Sequence, residues 1–127
     1  MTLIILIIAA LAALLHVFIF TLESFRWEEQ STRDTFGTTA EQAAASRQLA
    51  YNQGFYNLFL AITTFAGIAF VFWPVVSTTM LVVSLGSMLA AAVVLVTNDR
   101  TKLRAAAIQG TLPLIGLVLL VIRALTG

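Results

Sequence analysis

Long apolar runs separated by short polar breaks dominate the chain. They extend from about Met1 to Leu22, Leu49 to Val76, Thr79 to Val96 and Ala105 to Ile122. Each reaches the roughly 20 residues that a helix rising about 1.5 Å per residue needs to cross about 30 Å of hydrocarbon. The pattern predicts an all-α fold, an integral membrane four-helix bundle in a single domain over residues 1-127. Its helices are expected over about 1-23, 40-74, 78-97 and 103-125, with a cytoplasmic loop over about 24-39. The first run is expected to be retained rather than cleaved as a secretory signal: no Lys or Arg precedes it, its apolar run is too long, and it carries His16.

The polar stretch Ser24 to Gln48 reads in two parts. Ser31-Thr32-Arg33-Asp34 looks like loop, whereas Thr39, with Gln42 three residues later and an alanine run beyond, has a helix-capping pattern. Trp73-Pro74 is expected to end the second helix at the outer interface, where an indole is comfortable and proline cannot continue the ladder. In the third helix Ser84 and Ser87 can bond back to their own backbone, and Gly86 and Ala90 form a small-residue face suited to packing.

With four crossings both termini lie on one side and the connections around 23–48 and 97–104 on the other. That second side holds Arg26, Arg33, Arg47, Arg100, Lys102 and Arg104, against Arg123 alone near the C-terminus. The excess of Lys and Arg marks the cytoplasmic side, so both termini are expected on the non-cytoplasmic side.

Composition agrees and excludes several classes of function. At 60% hydrophobic and 10% charged, the chain is richer in apolar residues than soluble domains, which sit nearer one half. A net charge of +1 gives no reason to expect nucleic acid as a partner. There is no cysteine, so disulfides and thiolate chemistry are out, and one histidine is too few for an ordinary zinc site; no metal is expected. No glycine-rich phosphate loop, hydrolase elbow or internal repeat is present.

What remains is a set of polar residues inside the apolar runs. Counting from Glu23, Gln48 and Arg104 as level, His16 lies about 10 Å deep, Asn52 to Asn57 about 6 to 13 Å, and Gln109 about 7 Å. His16 and Glu23 are seven apart on one face, and Asn52/Tyr56 and Gln53/Asn57 form a stripe at i,i+4 spacing. Amides left in lipid cost several kcal/mol each, so these groups should point into the bundle. Gly54 permits close backbone approach, and Pro113 frees the carbonyl of Gln109. His16 admits three roles: a hydrogen bond to Tyr56 or Asn57, proton transfer, or, as the lesser option, haem ligation; no other cofactor is expected. Because it lies about 10 Å from Glu23 along the helix axis, any partner should come from the second helix. Glu23 reads as a catalytic carboxylate or as a salt bridge to Arg26 or Arg47.

Leu22-Glu23-Ser24-Phe25 after His16, the Asn-Gln-Gly-x-Tyr-Asn run at 52–57, and Gln109-Gly110 with Pro113 resemble domain of unknown function 1304, a family of small bacterial four-helix membrane proteins. The likeness runs from the first helix to the last. It implies the fold, a bacterial cytoplasmic (inner) membrane location and His16, Glu23, Asn52, Gln53, Tyr56, Asn57 and Gln109 as family-level site residues, but no activity. A looser, architectural similarity links the chain to styrene oxide isomerase and the emopamil-binding sterol isomerases, which set His, Asn, Tyr or Glu inside helical bundles; fold alone does not fix function.

The leading expectation is a pocket in the inner-leaflet half for a membrane lipid or small lipophilic molecule, which it binds and, as an enzyme, would isomerise or hydrolyse. His16, Glu23 and Tyr56 are the candidate catalytic residues, with Asn52, Gln53, Asn57 and Gln109 holding the ligand. The alternative is a structural or accessory subunit, with a homo-oligomer left open, in which the polar groups only join helices. Transport is weaker, since the outer half offers few polar groups beyond Ser84 and Ser87.

Overall fold

The computed structural model describes Met1–Gly127 throughout. Five α-helices make up the protein: α1 (Thr2–Phe25), α2 (Gln30–Phe36), α3 (Ala40–Ala69), α4 (Pro74–Asn98) and α5 (Leu103–Thr126), with a 3₁₀ turn at Arg100–Lys102. The apolar pattern predicts four helices, and the addition is α2, which corrects the loop-like reading of Ser31–Asp34. Its stop signal is visible in the sequence: Gly37 takes the left-handed conformation at φ 62°, and the Thr38 amide donates to the Arg33 carbonyl at 2.9 Å.

The long helices form a ring in which α1 packs on α3, α3 on α4, α4 on α5, and α5 back on α1. Three of them, α1, α4 and the segment Arg100–Thr126, are long and apolar enough to cross a membrane, so the chain is a membrane protein. Helix α3 is the longest, but Asn52–Asn57 dilutes its hydropathy. Leu3, Ile7, Leu11, Leu14 and Phe18 all project outward from α1, an apolar belt that lipid, not water, would cover.

Small residues set the spacing between helices. On α1, Ile5, Ala9 and Ala12 recur at helical period and pack with Leu81, Leu85 and Met88 of α4 and Leu120 of α5. A Cβ on Gly110 would lie 2.8 Å from Ala92, and one on Gly116 2.9 Å from Leu85, so α4 and α5 meet where those side chains are missing. Within the chain no helix packs on the expected Gly86/Ala90 face: nothing lies within 4 Å of a Cβ at Gly86. The α4–α5 contact uses the neighbouring register instead.

Helix ends follow local chemistry. At the start of α3, the Gln42 amide donates to Thr39 Oγ1 and the Thr39 amide to Gln42 Oε1, each at 3.1 Å, completing the capping box. Helix α3 stops at Ala69, earlier than the expected 74, and Pro74 opens α4 rather than closing α3. At the first position of a helix the missing proline N–H costs nothing. Near this turn α3 and α4 are clamped together: Ser77 donates to the Gly67 carbonyl at 2.7 Å, and Thr64 Oγ1 to Ser84 Oγ at 2.8 Å. Ser84 therefore reaches a neighbour as well as its own helix.

At the other end, α2 folds back over the bundle. Trp27 packs at a tilt against Phe36, ring centres 5.2 Å apart, and donates to Ser46 Oγ at 3.1 Å. The chain's one lysine, Lys102, donates to the carbonyls of Phe36 at 2.8 Å and Gly37 at 2.7 Å, a cation at the negative end of α2. Beside it Asp99 accepts from Thr101 Oγ1 at 2.7 Å and its amide at 2.9 Å, which holds the carboxyl below the ordinary carboxylate range.

Two outcomes follow from this packing. Gly54→Ala would drive a methyl into Ser24 Oγ and to 3.0 Å from the Phe20 carbonyl and Ser24 amide, so the loss from overpacking, about 1–3 kcal/mol, should exceed the gain in helix propensity and lower the melting temperature in detergent. Thr32 is 1% exposed and its hydroxyl has no partner, so Thr32→Val should raise the melting temperature by removing an uncompensated buried group worth about 1–3 kcal/mol.

Candidate functional site

The α1–α3 contact positions the polar groups. Helix α3 lies directly on α1 at Gly54, where Ser24 Oγ donates to the Tyr51 carbonyl at 3.0 Å and the rings of Phe20 and Phe55 meet edge to face at 5.0 Å. One turn further along α3, Asn57 Nδ2 donates to Glu23 Oε2 at 2.7 Å and makes a longer bond to the Gln53 carbonyl at 3.2 Å. Asn57 is thus level with Glu23, not deeper than it. The α3 stripe sits closer to the loop end than counting from Gln48 predicts, because α2 and its turns let α3 start well outside the ring.

Glu23 also departs from one of its two expected roles. Arg26 pairs with Glu29 at 2.7 Å and Arg47 with Glu28 at 3.6 Å, so neither arginine reaches Glu23. Outside the membrane the Arg26 hydrogen bond holds the Glu29 carboxyl below its ordinary range. Glu23 is left with an amide as its only hydrogen-bond partner, and its Oε1 makes no hydrogen bond.

Around this pair a cleft of about 640 Å³ opens between α3 and α4. Glu23, Gln53, Asn57 and Gln109 supply its polar lining; Leu49, Tyr56, Leu60, Ala91 and Leu95 supply apolar walls. Trp27, Phe36, Thr38 and Gln42 lie toward α2, with Asp99 and Lys102 across from them. The clamps at Thr64–Ser84 and Gly67–Ser77 lie at the far end of the same two helices, so α3 and α4 part only toward α2. Gln53 and Gln109 line the cleft with side-chain amides that bond to no other residue, and the Tyr56 phenol is likewise without a partner and 64% exposed.

Two expected site residues stand elsewhere. His16 is 1% exposed, and its Nδ1–H donates to the Ala12 carbonyl of its own helix at 2.9 Å. A carbonyl can only accept, so this nitrogen carries the hydrogen. The expected bond to Tyr56 or Asn57 is absent because those residues sit about 10 Å nearer the loop end, level with Glu23. His16 does not line the cleft, and nor does Asn52, which faces outward. No group of three or more His, Asp and Glu side chains comes together.

Sequence reading missed the residues around α2. Trp27, Phe36 and Lys102 join the cleft only because α2 folds over it, and their signals were Gly37 as a helix stop and a single lysine among six arginines.

Comparison with known proteins fits this arrangement without assigning it a role. Neither curated proteins nor solved structures yield a match. A family model described as "Protein of unknown function (DUF1304)" matches residues 10–121, which takes in most of α1, the Asn52–Asn57 run and Gln109 with Pro113. On that match, as the resemblance in its motifs implied, the chain belongs to the DUF1304 family.

Proposed function

We propose that the α3–α4 cleft binds a small, uncharged lipophilic molecule that enters sideways from the inner leaflet of a bacterial cytoplasmic membrane, and that the Glu23–Asn57 pair meets its polar group. In this reading α3 crosses the membrane beside α1, giving four crossings with both termini outside and α2 on the cytoplasmic side. The bias of Arg and Lys toward the α2 side supports that orientation.

The observation that carries the reading is the pair of unused amides. A residue kept only to join helices has a partner on another helix, and Asn57 meets that description through Glu23. Gln53 and Gln109 do not: both line the cleft without a partner of their own, and an amide that loses water there without gaining a hydrogen bond is destabilised. A ligand oxygen or hydroxyl placed among Gln53, Asn57 and Gln109 would satisfy them, while Leu49, Leu60, Ala91 and Leu95 cover its apolar body. Tyr56 and the Glu23 carboxyl then stand where a proton could be given to or taken from that ligand, a step that gains strength in a dry, preorganised site. His16 has no part in this version, because it is buried away from the cleft.

The competing view, an accessory subunit held together by its polar groups, draws its support from the 2.7 Å Glu23–Asn57 bond. Such bonds are individually modest, averaging roughly 0.6 kcal/mol. Gln109→Leu separates the two views. Native mass spectrometry of the purified protein should show a retained lipophile that this variant loses, with the melting temperature unchanged or slightly raised; an identical ligand profile in parent and variant would sink the proposal.

The topology is checked independently. Because the chain contains no cysteine, a single cysteine placed at Thr126 should react with a membrane-impermeant maleimide applied to intact spheroplasts, and one at Thr35 should not. The reverse pattern would turn the protein over.

A further inference from the structure

The cleft between α3 and α4 is not alone in reaching Glu23. A second, of about 840 Å³, is bordered by Ser24, Arg26, Glu28, Ala44, Arg47 and Tyr51. At 3.6 residues per turn, Ala44, Arg47 and Tyr51 lie on the opposite face of α3 from Leu49, Gln53 and Tyr56. The two clefts share Glu23, Trp27 and Ala45 and nothing else. Of these three, the indole is fixed against Phe36 and Ser46, Ala45 offers a methyl, and Glu23 alone can carry a proton. The charged rim of the second cleft, Arg26–Glu29 and Arg47–Glu28, marks it as the side that faces water and headgroups.

We propose that Glu23 is a two-sided carboxyl, open to water through the Arg26/Arg47 cleft and to the lipophile through the α3–α4 cleft, and that protons pass between the two sides through it. This deepens the proposed function and rests on its premise that the α3–α4 cleft holds an uncharged lipophile with an oxygen acceptor. The step balances simply. The O–H bond of the Glu23 carboxyl breaks as the ligand oxygen takes the proton; a hydronium ion in the outer cleft then restores that bond and leaves as water. Returning the proton from the ligand reverses both transfers.

The surrounding charges leave this role to Glu23. On the water side Arg26, Glu28, Glu29 and Arg47 are paired with one another, beside the Tyr51 phenol. On the lipid side Lys102 is held by the Phe36 and Gly37 carbonyls and Asp99 by Thr101, leaving the Tyr56 phenol as the other titratable group. No cation neutralises Glu23, and Asn57 occupies Oε2 while Oε1 stays free. A carboxyl served by one amide can exist in either protonation state, where one locked to an arginine would stay ionised.

Two carbodiimides of opposite solubility test the idea on protein reconstituted in phosphatidylethanolamine–phosphatidylglycerol vesicles. Dicyclohexylcarbodiimide, dissolved in lipid, and a charged water-soluble carbodiimide should each modify Glu23, located by peptide mass spectrometry, with Glu23→Gln as the blank. Ala44 and Ala91 are exposed, and each borders one cleft only, so large side chains there should be accommodated without refolding. Ala44→Phe should abolish labelling by the water-soluble reagent and spare the lipid-soluble one; Ala91→Phe should do the opposite. Labelling by a single reagent or by neither, or loss of both labels in one variant, would overturn the proposal. A lipophile retained alongside one-sided labelling would remove this proton route alone, whereas two-sided labelling without any retained lipophile would remove the ligand reading and the transfer to it, leaving only a carboxyl open to both sides.

Discussion

The polar groups between α1 and α3 are arranged by the close approach of the two helices at Gly54. With no side chain there, α3 rests on Ser24 and the Phe20 carbonyl, close enough for Ser24 to reach the Tyr51 carbonyl and for Asn57 to reach Glu23. Glycine inside a helix is unfavourable by about 1 kcal/mol relative to alanine, and here that cost secures register as well as proximity. Sliding α3 by one turn would leave Glu23 facing a different part of the stripe. The site is therefore a property of the α1–α3 pair, to which α4 and α5 contribute walls.

A division of labour runs along the helices. Toward the Phe70–Trp73 turn, hydroxyl groups are consumed in linking α3 to α4, and small residues let the helices close up. Toward α2, amides and a carboxyl are left with spare hydrogen-bonding capacity beside an opening. Interhelical bonding between α3 and α4 is thus concentrated at one end and spare hydrogen-bonding capacity at the other.

The long helices are legible in the sequence because apolar runs of that length match the thickness of a bilayer, and the capping box at Thr39 locates the start of α3 to the residue. Errors arise where short-range signals compete. Pro74 reads as a stop although it equally suits the first position of a helix, and Ser31–Asp34 reads as loop although Gly37 terminates a short helix that tertiary contacts through Trp27 and Lys102 sustain. For the cleft, Glu23, Gln53, Tyr56 and Asn57 are legible as polar groups set in or beside apolar runs. Their register is not, because depth counted from helix ends assumes that all helices enter the membrane at the same level. His16 draws attention as the lone histidine, yet a bond to the carbonyl four residues earlier satisfies it locally, an outcome that composition cannot reveal.

The placement of the α3–α4 clamps bears on how the opening behaves. Both bonds lie near the handle of a two-pronged fork, while between the tips, at Leu49 and Leu95, no hydrogen bond joins α3 to α4. Any angular change at the handle is magnified at the tips, so the width of the gap is set by how the ring closes through α1 and α5 as much as by the two clamps.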